Sequence, residues 1–422
     1  MSAATRAETR AETSAETSTA PNPRSWQTPL LVVVCGGILL GVSMGARNVQ
    51  GLFMLPMITE RGWTRETFGV AIALQNIVWG LSQPLAGMIA DRYGSVKVML
   101  AGSLLYAAGL YLEATATSAL GLHTGAGVLI GLGLSGTAFA AIYGAISRIA
   151  SPAQRSWALG MAGAIGGLCQ FAMVPVAHGL IGGLGWVTAF IVIAALFVAA
   201  APASFAMQDH VKSQENAGSQ SMSAAIRAAF SHRGFWLLNT GFLACGFQLA
   251  FIATHLPAYL LDKGMQPRDA VVALAIISLA NVLGTYYCGI LGGRYSRKYL
   301  LSGLYLMRSA AIAAFVWLPV SQPTLYVFAA VMGLTWLGTV PLTNGIVSQV
   351  FGVKYLATLF GFVFFGHQLG AFLGVWLGAY VFDTTHSYHA VWLLSIALGL
   401  LACLLHLPID DRQLETETPL LA

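Results

Sequence analysis

Arg47 is a charged residue inside a long apolar stretch that runs from Pro29 to Ile58. A charge in the middle of a membrane span costs roughly 2.5–3.5 kcal/mol even on the mildest insertion scale, so it needs a wet cavity or a partner. No acidic residue shares this stretch. Two interpretations follow: Arg47 binds an anionic ligand in a cavity, or a tilted helix carries its guanidinium to the outer lipid headgroups.

Polar residues also lie deep in the other apolar stretches. Such a group must be satisfied by another helix, by water or by a ligand. An amide in this position therefore makes an interhelical hydrogen bond or lines a binding cavity. The ligand-binding candidates are Arg47, Asn76, Tyr143, Gln170, Gln248, Asn281, Asn344 and His367.

Three of the residues embedded in apolar stretches have basic side chains: His255, His367 and Arg308. His255 and His367 are candidates for proton coupling because an unperturbed histidine titrates near neutral pH, although each is equally well explained as a neutral packed side chain. Arg308 is the second embedded cation, and we expect it to snorkel to the headgroups or to form a structural ion pair. Glu113 and Asp383 lie near outer ends of apolar stretches and are predicted to be solvated.

The composition predicts that these residues lie in a bilayer. Hydrophobic residues make up 57% of the chain, charged residues 9%, and the mean hydropathy is +0.72. Stretches long enough to cross about 30 Å of hydrocarbon occur six times in each half of the chain. We number them as spans 1 to 12: 28–58, 67–90, 98–117, 124–147, 157–180, 185–207, 234–260, 269–291, 299–320, 323–348, 356–381 and 387–407.

The polar segments between and around these spans divide the chain. A low-complexity N-terminal tail at 1–27 is predicted to be disordered. A bundle at 28–207, a linker at 208–233, a second bundle at 234–407 and a tail at 408–422 follow. In the linker, residues 222–230 are expected to form a short interfacial helix. The five cysteines lie in apolar spans without paired spacing, so disulfides and metal ligation are not expected.

One motif occurs twice, 202 residues apart, each time between two long apolar runs. The first copy has the sequence GMIADRYG from Gly87 to Gly94, and the second has GILGGRYS from Gly289 to Ser296. A duplicated membrane unit predicts a transporter whose site lies between two parallel halves. The same offset relates Glu60 to Asp262, Gly131 to Gly333 and Gly136 to Gly338.

The distribution of basic residues predicts the orientation. If the N-terminus is cytoplasmic, 15 of the 21 lysines and arginines lie in cytoplasmic segments and four lie outside. Positive-inside asymmetry therefore favours cytoplasmic termini in a multi-pass inner-membrane protein. The net charge of +5 is spread over separate short loops, which predicts no nucleic-acid partner.

The first copy of the motif resembles the signature loop of the major facilitator superfamily, and the second resembles its usual degenerate partner. The resemblance covers all twelve spans and implies an all-α membrane protein with two pseudo-symmetric six-helix bundles. Three further stretches resemble the bacterial branch related to monocarboxylate transporters: residues 45–65, 75–84 and 365–370. Animal monocarboxylate transporters have an Asp and an Arg in span 8, where this chain has Asn281 and Thr285, so Arg47 is left as the main anion-binding candidate.

The signature loop is a candidate gate. We expect Asp91 to begin a helical segment, where it would accept free amide hydrogens and pair with a cytoplasmic arginine. Such a latch would hold the cytoplasmic side closed; alternatively, the loop only ends its helix. Gly293 replaces the carboxylate in the second copy. The gating candidates are Gly87, Asp91, Arg92, Gly94 and Arg294.

Enzymatic functions do not fit these patterns. The string GLGLSG at 131–136 matches a dinucleotide fingerprint but lies within span 4, with no preceding strand. No phosphate-binding loop is present, so an ATP-driven pump is not expected, and neither is a cofactor. The sequence favours a monomeric transporter of a small organic anion that is coupled to protons or works by exchange. Proton-driven efflux of drugs or other amphipaths is the alternative, and a non-transporting membrane sensor is a third.

Overall fold

A computed structural model of the chain describes residues 27–208, 221–352 and 355–412, without the side chains at 91, 147, 152–153, 155–156 and 357. The expected disorder of the N-terminal tail therefore lies outside the described residues, apart from residue 27. All regular secondary structure in the described ranges is helical. The predicted helix in the linker is present, and it spans Met222–Ser231.

Among the described residues, the first half of the chain contains eight α-helices. A π-helical segment, His123–Leu129, precedes α6, and a short 3-10 helix, Ala201–Met207, follows α8. The helices are α1 (Pro29–Asn48), α2 (Gln50–Arg61), α3 (Arg65–Tyr93), α4 (Ser95–Thr115), α5 (Ala119–Leu122), α6 (Ile130–Thr137), α7 (Phe139–Ile149) and α8 (Pro152–Ala200).

The second half contains eight more. The linker helix begins it, and seven helices follow that together correspond to spans 7 to 12. They are α9 (Met222–Ser231), α10 (Arg233–Asp262), α11 (Pro267–Arg294), α12 (Arg297–Trp317), α13 (Gln322–Thr335), α14 (Thr339–Phe351), α15 (Leu356–Thr385) and α16 (His389–His406).

Local sequence explains where several helices begin and end. Thr28 and Thr64 cap α1 and α3, because their hydroxyl oxygens accept hydrogen bonds from the amides of Leu31 and Thr67. Gly62 ends α2 in the left-handed region, at φ 68°, where a residue without Cβ is favoured. Gly94 separates α3 from α4 at φ 92° and confirms a turn at the signature loop.

Ten helical segments in the described ranges are long and apolar enough to cross a membrane. One of them, Trp157–Met207, has 51 residues and would be about 77 Å long if it were a straight helix, more than twice the thickness of the hydrocarbon layer. Its backbone leaves the helical region at Gly185, at φ 80°, which divides it between spans 5 and 6. α3 has 29 residues but is not among the ten.

Three predicted spans are broken rather than continuous. Span 1 is interrupted at Val49, between α1 and α2, and span 4 is interrupted at Ala138, between α6 and α7. Span 10 is interrupted at residues 336–338, between α13 and α14. No proline lies at any of these breaks, so the sequence pattern did not predict them.

Hydrogen bonds within the two halves repeat at the 202-residue offset. The Ser43 and Thr137 hydroxyls lie 2.8 Å apart in the first half. At the equivalent positions of the second half, Cys245 Sγ lies 3.3 Å from the Thr339 hydroxyl. Because equivalent residues make equivalent contacts, the sequence repeat corresponds to a structural repeat.

Candidate functional site

Two adjoining cavities lie between the halves, and both halves contribute to their walls. Counting the open solvent at their mouths, the larger encloses about 690 Å³ and the smaller about 330 Å³. Phe139, Gln170, Leu337 and Val340 line both, so the two spaces are neighbours. Together their walls draw on spans 1, 2, 4 and 5 of the first half and spans 7, 8, 10 and 11 of the second.

Several predicted residues lie on these walls. Arg47 and His367 line the larger cavity, Tyr143 and Asn281 line the smaller one, and Gln170 lines both. The Asn281 side-chain oxygen also accepts the amide hydrogen of Leu337 at 3.0 Å. Asn281 therefore stabilises the break in span 10 from the cavity wall.

Arg47 lies one residue before the end of α1 and is held by two neutral amides of α3. Its Nη1 donates to Gln75 Oε1 at 3.1 Å, and its Nη2 donates to Asn76 Oδ1 at 2.6 Å. The guanidinium stacks over the Trp79 ring, with Arg47 Cζ 5.1 Å from the ring centroid. Among the residues that the structure describes, no carboxylate forms an ion pair with Arg47. The charge therefore remains without an anion.

The two amides are themselves fixed so that their oxygens face Arg47. Gln75 Nε2 donates to the Ala126 carbonyl at 2.8 Å, in the π-helical segment. Asn76 Nδ2 donates to the Ile72 carbonyl at 2.8 Å. Two of the five guanidinium N–H groups are used in these bonds, so Arg47 is oriented by the protein and keeps donors for a ligand. Asn76 therefore lines neither cavity and acts on the site by orienting Arg47.

Aromatic side chains form much of the larger cavity's wall. Trp79 packs edge-on against Phe364, and Phe364 stacks on the His367 ring with centroids 5.1 Å apart. Phe139 and Trp336 complete this aromatic lining. Such a wall favours a ligand with an apolar body next to its charged group.

Gln50 is a cavity residue that was missed by our sequence analysis. It lies in the first turn of α2, lines the larger cavity and is only 3% exposed. Neither its Oε1 nor its Nε2 has a hydrogen-bond partner. A signal was present in the sequence, because Gln50 stands three residues after Arg47 and neighbours it on a helical surface.

Arg308 has a different environment, and both expectations for it were wrong. It is fully buried in α12, so it does not snorkel, and no described carboxylate pairs with it. Its Nη2 donates to the carbonyls of Thr335 and Trp336, at the end of α13. Its Nη1 lies 3.3 Å from Gln248 Oε1. Gln248, which was expected in the cavity, is therefore an Arg308 partner and lines neither cavity.

His255 belongs to a hydrogen-bond network near the start of α3 and the end of α10, on the side of the bundle opposite the signature loop. Its Nε2 donates to the Val375 carbonyl at 2.9 Å, and its Nδ1 lies 3.3 Å from the Tyr388 hydroxyl, which can donate to it. Tyr388 in turn accepts from Arg65 at 3.1 Å, and Arg65 forms a two-bond ion pair with Asp262 at 2.8 and 2.9 Å. The pair joins the two halves across their interface. His255 lines neither cavity.

The signature loop differs from its sequence-based description. Asp91 lies in the last turn of α3 instead of beginning a helix, and Gly94 is the residue that precedes α4. Arg148 Nη2 donates to the hydroxyl of Ser95, the first residue of α4, at 2.6 Å. A cation of α7 therefore lies beside the loop. Two other gating candidates lie in this part of α3: Gly87 within the helix, and Arg92 stacked on Tyr93 in its last turn. Arg294 belongs to the second copy of the motif, where it is exposed in the last turn of α11.

Three other residues have environments that the sequence did not predict. Asn344 is half-buried on α14 with no partner for its Oδ1, and it lines neither cavity. Glu113 was expected to be solvated, but its side chain is fully buried and its oxygens have no hydrogen-bond partner. Asp383 is half-buried and caps α3 by accepting the amide hydrogen of Glu66 at 2.8 Å.

A family model described as Major Facilitator Superfamily matches residues 36–374, with a second match at 272–421. The chain belongs to the Major Facilitator Superfamily. It is therefore a multi-pass membrane transporter and not an enzyme. Sequence relatives agree: the chain is 24% identical to the uncharacterized MFS-type transporter YcxA of Bacillus subtilis, over 88% of this chain and 93% of that one.

The other relatives include monocarboxylate transporters. Identity is 26% to monocarboxylate transporter 13 of Rattus norvegicus, over 77% of this chain and 75% of the relative. It is 25% to monocarboxylate transporter 11 of Homo sapiens, over 90% and 84%. The resemblance seen in the sequence to the superfamily and to this branch is thereby confirmed.

Solved structures show the same superfamily fold. A bacterial homologue of the human lysosomal transporter Spinster, in an inward-facing and unoccupied conformation, matches with a TM-score of 0.71 and 14% identity, over 91% of this chain and 97% of that one. FucP in the outward conformation matches with a TM-score of 0.64 and 15% identity, over 90% and 97%. At these identities the match shows the fold alone.

Proposed function

We propose that this superfamily member moves a small organic anion of the monocarboxylate type across the inner membrane by alternating access, with Arg47 as its carboxylate-binding residue. The observation that carries the proposal is a guanidinium on the wall of a central cavity, oriented by two neutral amides and without an acidic partner. A carboxylate on the substrate would supply the missing anion. The names of the monocarboxylate transporter relatives support this substrate class.

The alternative of lipid-headgroup contact for Arg47 is less well supported. A snorkelling arginine points its charged group out of the protein, whereas Arg47 turns inward, toward α3 and the cavity. The alternative of proton-driven efflux of drugs or other amphipathic compounds would be favoured by a carboxylate on the cavity wall. Among the described residues that line the two cavities there is none.

We further propose that the protein has the twelve membrane spans that the resemblance to the superfamily implies. The ten membrane segments become twelve spans when the 51-residue segment is divided at Gly185 and α3 is added. The distribution of basic residues supports cytoplasmic termini, and we propose that the protein acts as a monomer.

The transport cycle is proposed to be coupled to protons or to work by exchange. His367 is the better-placed proton-coupling candidate because it lines the cavity. Both ring nitrogens of His255 are within hydrogen-bond distance of protein groups, which supports a packed neutral role for that residue.

Substitution of Arg47 tests the proposal. Charge-assisted hydrogen bonds to a carboxylate are worth about 1.5–3 kcal/mol, so Arg47→Gln should weaken binding of monocarboxylates by roughly 10- to 150-fold. Arg47→Lys keeps the charge but loses the planar fork, so it should give a smaller loss. Dissociation constants of the three purified proteins for a series of monocarboxylates provide the measurement. An unchanged constant in Arg47→Gln would eliminate Arg47 as the anion site.

A further inference from the structure

Gln50 has an arrangement that neither the fold nor the Arg47 site explains. Buried side-chain amides in folded proteins almost always have hydrogen-bond partners, and losing a partner costs free energy. Gln50 is 3% exposed and has no partner at either amide atom. It also lines the same cavity as Arg47. An unpaired donor and an unpaired acceptor are thus available at the wall of the cavity that Arg47 lines.

The position of Gln50 relative to Arg47 limits what can use these atoms. Residues three apart on a helical surface have Cβ atoms about 5–6 Å apart, although the break at Val49 lies between these two. We infer that the part of an Arg47-bound ligand that reaches Gln50 is a group attached close to the carboxyl carbon. A hydroxyl suits this position because it can accept from the amide nitrogen or donate to the amide oxygen.

The rest of the cavity is suited to an apolar ligand body. Trp79, Phe139, Trp336 and Phe364 contribute aromatic surface, and Leu249 contributes an aliphatic side chain on the opposite half. Arg47 is the only lining residue with a permanent charge among those described. A second carboxylate on the ligand would remain unpaired in this space, and burying an unpaired charge is costly.

We propose that the substrate is a hydroxylated monocarboxylate with an apolar, ring-sized body, in which Gln50 recognises the hydroxyl. This inference rests on the proposed function, because it takes Arg47 as the carboxylate contact. Gln50 thereby becomes a specificity-determining residue: it selects among monocarboxylates, whereas Arg47 selects anions from neutral compounds.

The test compares matched ligands on the purified full-length protein in lipid nanodiscs. Calorimetry gives the dissociation constants of propanoate, 3-phenylpropanoate, its 2-hydroxy and 3-hydroxy derivatives, and the neutral amide of 3-phenylpropanoate. In the wild type, the dissociation constant of one of the two hydroxy acids should be lower than that of 3-phenylpropanoate by a factor of about five or more. The phenyl group should improve the affinity of propanoate by about tenfold or more.

Gln50→Leu is the decisive variant because leucine removes both amide atoms and keeps much of the side-chain volume. Its hydroxy-to-parent affinity ratio should fall to about one, with thermal stability unchanged or higher, since no hydrogen bond within the protein is lost. Thr343→Val is the matched control. Thr343 is also fully buried with an unpaired hydroxyl, but it lines neither cavity, so the wild-type ratio should persist.

The outcomes separate this inference from the proposed function. A ratio near one in the wild type, or a ratio that Gln50→Leu leaves unchanged, overturns the role of Gln50 while Arg47-dependent carboxylate binding still stands. Equal affinity for propanoate and 3-phenylpropanoate overturns the apolar body. Equal binding of the neutral amide and its acid overturns the proposed function instead. Failure of every ligand to bind contradicts both.

Discussion

Arg47 and Arg308 are both arginines embedded in apolar helices, but the protein satisfies them differently. Arg308 is fully buried and donates to the backbone carbonyls of Thr335 and Trp336, at the end of α13. Carbonyls at a helix C-terminus attract a cation through the helix dipole. Arg47 has two side-chain amides and an open cavity. One arginine is thus bound by backbone carbonyls of the fold, and the other is held by two side-chain amides at the wall of a cavity.

The repeat explains how this difference arises. At the 202-residue offset, the counterpart of Arg308 is Tyr106, whose hydroxyl donates to the Ser43 carbonyl at 3.4 Å. Arg308 Nη1 lies 3.3 Å from the sulfur of Cys245, the counterpart of Ser43. The counterpart of Arg47 is Leu249, which lines the same cavity. Both halves therefore share a scaffold, while single substitutions place each charge in only one of them.

The largest effect is expected on folding, from Arg308→Leu. The change leaves the carbonyls of Thr335 and Trp336 and the amide oxygen of Gln248 without this donor, and buried acceptors cost about 1–3 kcal/mol each when unpaired. Because removal of a buried charge offsets part of this loss, we expect the free energy of unfolding to fall by roughly 2–4 kcal/mol. Thermal unfolding of the purified protein, with Arg47→Leu as the control, provides the measurement.

Arg47→Leu should change stability less, because the Gln75 and Asn76 side chains keep their bonds to backbone carbonyls, and Asn76 Oδ1 keeps the Gln368 amide as a donor at 3.3 Å. Similar losses of stability in the two variants would show that Arg47 is as structural as Arg308. In that case the comparison would no longer distinguish a ligand site from the scaffold.

The sequence predicted the repeated unit but not the local breaks that shape the site. Contacts such as Ser43 with Thr137 depend on helix periodicity and recur wherever the repeat does. The break at residues 336–338 is instead contacted by side chains of two other helices: Arg308 donates to the Trp336 carbonyl, and Asn281 accepts the Leu337 amide hydrogen. The burial of single residues was not predicted either. Glu113 lies near the end of an apolar stretch in the sequence, but its side chain is fully buried in the structure. Such facts follow from tertiary packing, which periodicity does not encode.

The two copies of the signature loop allow a second comparison of the halves. Asp91 occupies the first copy and Gly293 the second, so we predict that only the first contributes a carboxylate to cytoplasmic gating. Asp91→Asn keeps the hydrogen-bonding shape and loses the charge. It should slow transport by about tenfold, which corresponds to about 1.4 kcal/mol, with normal membrane insertion. Turnover in proteoliposomes at matched protein density gives the measurement.

Gly293→Asp is the matched variant of the other half. It adds a carboxylate at an exposed position near Arg294, and it should leave turnover close to the wild-type value. Normal turnover in Asp91→Asn would show that the latch is not electrostatic. A strong effect of Gly293→Asp would show that the two copies are less different than their residues indicate.

The smallest effect is expected at the helix ends opposite the signature loop, where Arg65 donates to both carboxylate oxygens of Asp262. We propose that this side faces out of the cell. Partly exposed pairs are typically worth up to about 1 kcal/mol, and two-bond geometry favours the upper end. If the pair holds the outer side closed, Arg65→Gln and Asp262→Asn should each raise the outward-open population by up to about fivefold. The double variant should add little to either single one.

Distances between spin labels at the exposed positions Thr59 and Thr384, one on each half, would report that population. A raised salt concentration should mimic the substitutions in the wild type, because ions screen exposed charges, and should have little effect on the double variant. Asp410→Asn is the control, since Asp410 pairs with Arg412 in the tail and not across the halves. Additive effects of the two single substitutions would mean that Arg65 and Asp262 act through separate partners. Tyr388 and the Phe382 ring, 4.0 Å from the Arg65 guanidinium, would then be the contacts that hold the outer side.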